Sequence, residues 1–253
     1  MNRVIAVLGG GTGLGLSVAR RFGREGFRVA LVARRHERLG LLVKTLAADG
    51  VDATPFPGDL AAYEDVTDLI RSIQAGMGRI DVVEYGPIGS QLGMVPATEL
   101  DAAAVVRLSR LLLLTPVEVV RAVLPEMLER GDGALLLTQG YSALQPMPFM
   151  SGLGPVMAAA RNYWYSLYGE LAERGVYAGT LTVGSIIARS ELGEAASALA
   201  AGTSPPTLPN GAPITVVDPD ELAERYWTMY CVRDSAEQVH PASFAAHTAD
   251  TSR

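Results

Sequence analysis

The sequence predicts a single α/β domain with a doubly wound, mostly parallel sheet of seven strands and helices on both faces. Short apolar runs typical of buried strands alternate with stretches of helical periodicity, as they do in βαβ units with right-handed crossovers. Apolar residues make up 49% of the 253 residues, which is enough for one large core. Because no internal repeat or linker divides the chain, residues 1–253 are expected to form one domain.

The first half of the chain supplies four strands and three helices. Strands are expected at 3–8, 28–33, 51–56 and 81–85, and helices at 14–25, 36–49 and 63–77. Gly26 and Gly50 follow the first two helices, in the position where glycine commonly ends a helix. In the second helix, Leu39, Leu42 and Leu46 recur at helical spacing and indicate the face that is turned to the core.

The second half continues the alternation with longer helices and one proline-rich loop. Two helical stretches are expected within 98–130, then a strand at 134–138, a loop at 139–154, a helix at 155–173, a strand at 177–183, a helix at 190–201 and an irregular loop at 202–213. Asp218 and Pro219 are typical of a helix start, because Asp caps free N–H groups and proline fits the first turn. That helix is expected to end near residue 232, before a short strand at 237–240 and a loose polar tail from 242.

The composition argues against several partners and compartments. A net charge of −6 without a basic block argues against nucleic acid binding, which needs clustered Lys and Arg. The single cysteine, Cys231, cannot form an internal disulfide and fits a reducing compartment. No apolar stretch approaches the roughly 18 residues of a membrane span, and no secretory leader is expected, so we predict a cytoplasmic protein without a membrane segment. Abundant Ala, Arg and Gly beside one lysine favour a role in bacterial secondary metabolism.

A glycine-rich turn joins the first strand to the first helix, where a protein can hold a phosphate with backbone N–H groups and the helix dipole. The residues expected to form this site are Gly9, Gly11, Thr12, Gly13, Leu14 and Gly15. Arg34 and Arg35 end the second strand, at the place where an acidic residue favours a free ribose hydroxyl and a cation favours a 2′-phosphate. The pattern therefore predicts bound NADP(H) rather than NAD(H).

Five motifs share an order and spacing that is more specific than any one of them. They are Gly9-xxx-Gly13-x-Gly15, Gly58-Asp59-Leu60, Leu124-Pro125-x-Met127 with Gly131-x-Gly133, Ser166-Leu167-Tyr168-Gly169-Glu170-Leu171, and Val183-Gly184. Together they resemble the short-chain dehydrogenase/reductase family over most of the chain. The resemblance implies a Rossmann fold, adenine contacts from Asp59 and Leu60, and further cofactor contacts from Gly86 and Ile186. It also implies a homodimer or homotetramer formed through helices within 98–130 and 155–173.

The same resemblance assigns catalysis to four positions, all of which are non-polar here. The family uses a tyrosine as proton donor, a lysine that lowers the tyrosine's pKa, a serine that orients the carbonyl and an asparagine that supports a water chain. These positions fall on Leu153, Met157, Gly140 and Leu112, respectively. Hydride transfer to a carbonyl creates an alkoxide that needs a proton donor. The usual proton relay is therefore expected to be missing.

Three functions stay open. The first is an oxidoreductase that acts on a hydrophobic small molecule with substitute donors, for which Tyr141, Ser142 and Tyr85 lie near the carboxyl ends of strands. The second is a redox-neutral isomerase, dehydratase or cyclase, which an apolar lining would suit, and the third is a non-catalytic nucleotide-binding subunit. In each case 187–214 is expected to cover the substrate. No pair of histidines has metal-ligand spacing, and we expect no metal.

Overall fold

The computed structural model describes residues 3–87, 94–194 and 215–244. The strands are β1 (Val4–Leu8), β2 (Arg28–Ala33), β3 (Ala53–Pro57), β4 (Val82–Tyr85), β5 (Gly133–Gly140), β6 (Val176–Val183), β7 (Ile186–Ile187), β8 (Val216–Val217) and β9 (Glu237–His240). Seven of them form one sheet in the order β3-β2-β1-β4-β5-β6-β9, and every neighbouring pair in it is parallel. The short strands β7 and β8 pair with each other in a separate sheet. This arrangement confirms the predicted parallel, doubly wound sheet.

The helices lie on both faces of the main sheet, as predicted. They are α1 (Leu14–Arg24), α2 (His36–Ala48), α3 (Val66–Met77), α4 (Ala102–Ser109), α5 (Thr115–Arg130), α6 (Leu153–Leu171) and α7 (Pro219–Val232). One core joins residues of α1, α2 and α7 to the sheet, and the other joins residues of α3, α5 and α6 to its opposite face. No helix in the described part of the chain is both long and apolar enough to cross a membrane.

The central strand shows why the sheet has two cores. Val4, Ala6 and Leu8 of β1 contribute to the core beneath α3, α5 and α6, whereas Ile5 and Val7 contribute to the core beneath α1, α2 and α7. Every residue of β1 is buried, because successive side chains of a strand point to opposite faces and both faces are covered. Each fully buried Val, Leu or Ile contributes about 1.5–3 kcal/mol. The carboxyl ends of these parallel strands consequently meet at one edge, where the glycine turn follows β1.

The helical region within 98–130 is continuous rather than two separate stretches. A π-helical turn, Arg110–Leu114, joins α4 to α5. Such a turn leaves backbone carbonyls without their usual partners, and side chains fill two of these positions. Tyr85 donates its hydroxyl to the carbonyl of Leu111 at 2.5 Å. The Thr115 hydroxyl shares its one proton between the carbonyl of Arg110, at 2.9 Å, and that of Leu60, at 2.5 Å. The π turn places Leu112 toward the carboxyl end of the sheet, on the α6 side.

Element ends differ from expectation around residue 140. Strand β5 continues to Gly140, because its last residue stays in parallel register with Val183 of β6. Helix α6 already begins at Leu153, so the connection between them is shorter than the loop predicted at 139–154. Residues 191–194 are helical, and the rest of the helix predicted at 190–201, together with the loop at 202–213, lies outside the described residues.

The aromatic side chains of α6 are used mainly within the chain. Trp164 is buried, and its Nε1 donates to the carbonyl of Leu135 at 3.2 Å. The ring of Tyr168 lies 6.3 Å from the ring of Tyr177, centroid to centroid. Tyr165 donates its hydroxyl to a Glu237 carboxylate oxygen at 2.8 Å. Packing inside the chain thus accounts for these three aromatic residues, and the homo-oligomer stays a prediction.

Candidate functional site

The glycine turn is built from backbone contacts that exclude larger side chains. The amides of Gly9 and Gly10 both donate to the carbonyl of Val32, at 3.1 and 2.7 Å. Gly9 has a φ of +121°, and a Cβ there would lie 2.7 Å from the backbone nitrogen of Pro87. A Cβ at Gly15 would lie 2.9 Å from the carbonyl oxygen of Gly9. The spacing of these two glycines is therefore required by how closely the turn packs against β2 and β4.

The remaining residues of the turn suit a phosphate. A Cβ at Gly11 would meet nothing closer than 3.9 Å, so the backbone here is open to a ligand. Helix α1 begins directly afterwards, at Leu14, with its side chain buried. The first N–H groups of a helix have no partner inside the helix and carry its positive dipole end. The turn and helix start therefore fit an anionic group such as the pyrophosphate of a dinucleotide.

Arg35 and Arg38 lie beside this turn, and the sequence predicted only the first of them. Arg35 Nη2 and Arg38 Nη1 both contact the Glu191 carboxylate, and Arg38 Nη2 also donates to Thr12 Oγ1 at 3.2 Å. Arg34 is exposed and has no ion pair within the described residues. Arg38 follows Arg35 by three residues on the first turn of α2, which is a spacing that brings side chains together. That spacing is the signal that would have identified Arg38 from the sequence.

The residues predicted to contact the adenine and nicotinamide ends of the cofactor differ in burial and in hydrogen bonding. Asp59 is exposed, and one of its carboxylate oxygens accepts a hydrogen bond from the amide of Ala61 at 3.0 Å. Leu60 is buried in the core beneath α3. Gly86 follows β4 and donates its amide to the carbonyl of Leu8 at 3.0 Å, while Ile186 is half-buried at the start of β7. These four residues lie beyond carboxyl ends of sheet strands, where ligands bind in open α/β sheets, and their cofactor contacts stay predictions.

The four positions that the resemblance assigns to the proton relay do come together. Leu112, Leu153 and Met157 belong to one buried apolar cluster, which also contains Leu108, Ala143 and Val156. The backbone nitrogen of Gly140 lies 3.5 Å from the sulfur of Met157, and a Cβ at Gly140 would lie 3.4 Å from the Met157 methyl carbon. We define Leu112, Gly140, Leu153 and Met157 as the relay positions. None of the four side chains can donate or accept a proton.

The three predicted substitute donors differ in how free their hydroxyl groups are. Tyr85 is 1% exposed, burial raises its pKa well above the usual value, and its proton is engaged with the Leu111 carbonyl. Ser142 is also buried, and its Oγ has no hydrogen-bond partner in the described residues. Tyr141 is half-buried, and its ring lies 4.5 Å from the ring of Phe244, centroid to centroid, tilted by 42°. Of the three, Tyr141 is the one with an accessible ring and Ser142 the one with an unsatisfied hydroxyl.

Phe244 reaches this site from the segment that was expected to be a loose tail. A Cβ at Gly184, directly after β6, would lie 2.2 Å from the Phe244 ring. The Phe244 ring therefore lies between Tyr141 and Gly184, at the carboxyl ends of β5 and β6. Residues 245–253 lie outside the described residues.

Glu84 is a buried carboxylic acid that the sequence interpretation missed. It is 1% exposed, and Thr138 Oγ1 donates to its Oε1 at 2.7 Å. Thr138 Oγ1 also lies 2.6 Å from the hydroxyl of Tyr226 in α7. Desolvation raises the pKa of Glu84 to about 7, against the smaller opposing effect of the Thr138 hydrogen bond. Its signal in the sequence is an acid inside the otherwise apolar run of β4.

Within the described residues, no group of three His, Cys, Asp or Glu side chains is placed to hold a metal ion. The positive groups of the site lie at the glycine turn, in Arg35 and Arg38. The relay positions, by contrast, lie in a cluster of apolar side chains. The site thus combines a phosphate-binding end with an apolar end.

Comparison with known proteins gives a family match over most of the chain. Residues 3–194 match the family model for short chain dehydrogenases. A short chain dehydrogenase of Pseudocercospora fijiensis is 30% identical over 202 residues, which cover 80% of this chain and 65% of that relative. Dehydrogenase/reductase SDR family member 4 of Bos taurus is 27% identical over 189 residues, covering 73% of this chain and 66% of the relative. The chain thus spans about two thirds of the length of these two proteins.

Solved structures share the fold at low sequence identity. A gluconate 5-dehydrogenase from Burkholderia cenocepacia, solved with NADP and tartrate, superposes with a TM-score of 0.81 at 20% identity, over 96% of this chain and 95% of that chain. A variant of actinorhodin polyketide ketoreductase, solved with NADPH, also gives 0.81, at 21% identity over 96% and 97% of the two chains. At this identity the likeness establishes the fold and not the activity.

Proposed function

The chain belongs to the short-chain dehydrogenase family, and on that premise we propose that it is an NADP(H)-dependent oxidoreductase acting on a hydrophobic small molecule. The observation that carries the proposal is the convergence of Arg35 and Arg38 beside a glycine turn that is open to a ligand. Two cations at the carboxyl end of β2 favour a dinucleotide with a 2′-phosphate. The NADP and NADPH in the gluconate 5-dehydrogenase and ketoreductase structures support the same cofactor.

Different residues of this chain would hold the phosphate groups and the nicotinamide end of the cofactor. Arg35 and Arg38 would hold the 2′-phosphate, and the N–H groups at the start of α1 would hold the pyrophosphate. When bound, the nicotinamide supplies or accepts a hydride. The apolar cluster around Leu153 and Met157 would exclude water from the reacting end and favour a hydrophobic substrate.

Proton transfer falls to a residue outside the relay positions. We assign it to Tyr141, because its half-buried ring stands directly after β5, one residue beyond Gly140. The unsatisfied Ser142 hydroxyl is the second group that is able to hydrogen-bond a substrate oxygen there. Tyr85 is not assigned, since its hydroxyl is buried and donates to Leu111. Reduction of an activated C=C bond or an iminium suits such a site better than reduction of a ketone, because it needs less assistance from an acid.

Fluorescence titration with NADPH and NADH tests the cofactor. We expect NADPH to bind at least about tenfold more tightly than NADH, because a charge-assisted contact to the 2′-phosphate contributes roughly 1.5 kcal/mol. Equal affinities would contradict the assignment of Arg35 and Arg38. Absence of binding by both dinucleotides would contradict the proposed function itself.

Turnover measurements with Tyr141→Phe test the donor. Anaerobic incubation with NADPH and a panel of hydrophobic enones, imines and ketones is followed by nicotinamide absorbance. Removing a general acid lowers kcat by about 100-fold or more, so Tyr141→Phe should lose that factor. Tyr163→Phe is the matched control, because Tyr163 is another half-buried tyrosine and packs against a core that does not contain the relay positions. Unchanged kcat in Tyr141→Phe would identify Tyr141 as a packing residue against Phe244.

A redox-neutral isomerase, dehydratase or cyclase is the second candidate. The observation that favours it is the non-polar character of all four relay positions, which leaves this place without the usual proton donor for reduction of a carbonyl by hydride. The absorbance assay separates the two functions, because a redox-neutral enzyme converts substrate while the absorbance of bound NADPH stays constant. Binding without conversion of any substrate would favour the non-catalytic nucleotide-binding subunit.

We further propose that the chain is cytoplasmic and forms a homodimer or homotetramer through α4, α5 and α6. The exposed Val106 on α4 supports a role for this helix in assembly. Sedimentation velocity tests the proposed oligomer, and a monomer at micromolar concentration would contradict it.

A further inference from the structure

Glu191 lies on the two arginines assigned to the 2′-phosphate. A single carboxylate oxygen, Oε1, contacts both Arg35 Nη2 and Arg38 Nη1. Partial burial by itself would raise the pKa of Glu191, but the hydrogen bonds and charges of Arg38 and Arg35 outweigh it, and the net shift is downward. The carboxylate is therefore ionised at neutral pH. One anionic oxygen thus contacts both guanidinium groups.

The segment around Glu191 also lies on the glycine turn. Thr12 Oγ1 donates to the carbonyl of Arg189 at 2.5 Å, and a Cβ at Gly13 would lie 2.9 Å from the Cβ of Ser190. On its other side, Arg189 pairs with the N-terminal end of α7, through the carboxylates of Asp218 and Asp220. Residues 189–191 thus contact both elements that are expected to bind phosphates, the turn and the arginine pair.

We propose that Glu191 is an internal competitor of the 2′-phosphate. In the ligand-free chain its carboxylate occupies the anion site formed by Arg35 and Arg38, and a 2′-phosphate displaces it, which releases residues 189–191 from the glycine turn. The inference rests on the proposed NADP(H) function and deepens it, because it names a residue that sets cofactor specificity.

The charges of the competing groups explain the direction of the exchange. A phosphate brings nearly two negative charges and three acceptor oxygens to the arginines, whereas Glu191 brings one charge and uses one oxygen. Arg35 and Arg38 therefore gain contacts when the exchange occurs. A ribose with a free 2′-hydroxyl has no charge to offer and leaves Glu191 in place. A ligand without the 2′-phosphate consequently meets a site that the chain itself still occupies.

Calorimetric titration with adenosine 2′,5′-bisphosphate and with 5′-AMP tests this exchange in the full chain. The variant Glu191→Gln removes the competing charge, and we expect it to bind the bisphosphate about fivefold more tightly, since two partly exposed ion pairs contribute modestly. Its affinity for 5′-AMP, which lacks the 2′-phosphate, should change less than about twofold. Glu194→Gln is the matched control, because Glu194 is exposed on the same helical turn and removes the same charge without touching the arginines.

Hydrogen exchange gives a readout that does not depend on affinity. Amides of 189–193 should exchange faster when the bisphosphate binds the wild-type chain, and should already exchange faster in ligand-free Glu191→Gln. Unchanged or weaker bisphosphate binding by Glu191→Gln, or an equal gain in Glu194→Gln, would overturn the competition while leaving the cofactor assignment intact. If neither the bisphosphate nor NADPH binds any of the three proteins, the proposed function falls together with the inference.

Discussion

The two ends of the site use the same edge of the sheet but differ in what their side chains are able to do. At the glycine turn, Arg35, Arg38 and Thr12 supply charge and hydrogen bonds around a backbone that is open to a ligand. At the other end, Leu153 and Met157 fill the corresponding space with apolar atoms. The glycine turn with its arginines is therefore present in a chain that lacks the polar residues which the family resemblance assigns to the proton relay.

The fold explains why these two ends are independent. Strand pairing and two apolar cores stabilise the sheet that β1 to β6 belong to, and neither core contains a relay position. An apolar side chain at a relay position needs no hydrogen-bond partner of its own, and its burial is favourable. Function has to be argued from the site and not from the fold.

Placing a charge among the relay positions should have the largest effect. Met157 is 3% exposed, so a lysine there would be desolvated, and Met157→Lys is expected to lower the free energy of unfolding by about 4 kcal/mol at pH 7. Met157→Leu, which keeps the volume and the apolar character, should cost less than about 1.5 kcal/mol. Urea unfolding of both variants measures the difference.

The pH dependence of that difference identifies desolvation as its cause. Burial depresses the folded-state pKa of the new lysine below its unfolded value of about 10.4. The cost is therefore fully present below the folded pKa and disappears as the pH rises through the unfolded one. A cost under about 1 kcal/mol that does not vary with pH would show that these positions are hydrated, which would contradict the dry apolar end.

Glu84 is expected to have the next largest effect, because burial raises the pKa of its carboxyl group to about 7. Its pKa is raised from 4.5 to about 7, which corresponds to a contribution of roughly 3 kcal/mol to the free energy of unfolding. The folded chain holds this proton more tightly than the unfolded chain, so the stabilising contribution is complete below pH 4.5 and is lost as the pH rises to about 7.

Comparison of Glu84→Gln with the wild type over this pH range measures the contribution. The amide cannot ionise, so the variant should gain about 3 kcal/mol relative to the wild type between pH 4.5 and 8. Thr138→Val, which removes the hydroxyl that stabilises the ionised form, should raise the pKa further. A difference between Glu84→Gln and wild type that is constant with pH would mean that Glu84 is hydrated.

The sequence predicts best those features that depend only on neighbouring residues. The glycine turn, β2 and the start of α7 are local features, and β2 and β9 have the predicted bounds because strand periodicity and turn residues determine them. Asp218 caps α7 as expected, by accepting from the amide of Asp220.

Contacts between distant residues are what the sequence could not supply. Glu191 reaches Arg35 from 156 residues away, and Tyr85 reaches Leu111 across the π turn. The raised pKa of Glu84 depends on complete burial between β5 and α7, which periodicity does not reveal. The interpretation of Arg34 and Arg35 as a pair illustrates the same limit, because adjacent residues at a strand end point in different directions.

The smallest effect that we predict distinguishes these two arginines. Both side chains are exposed, but Arg35 contacts Glu191, whereas Arg34 has no ion pair among the described residues. Arg35→Ala should weaken NADPH binding about tenfold, the size of one charge-assisted contact in a partly exposed place, and Arg34→Ala should change it less than about twofold. Fluorescence titration with NADPH measures both variants, and NADH, which lacks the phosphate, should not separate them. If Arg34→Ala causes the larger loss, the phosphate lies on the other side of the end of β2. Glu191 would then stabilise the ligand-free turn without competing for the cofactor, and the two ends of the site would be joined by a different set of contacts.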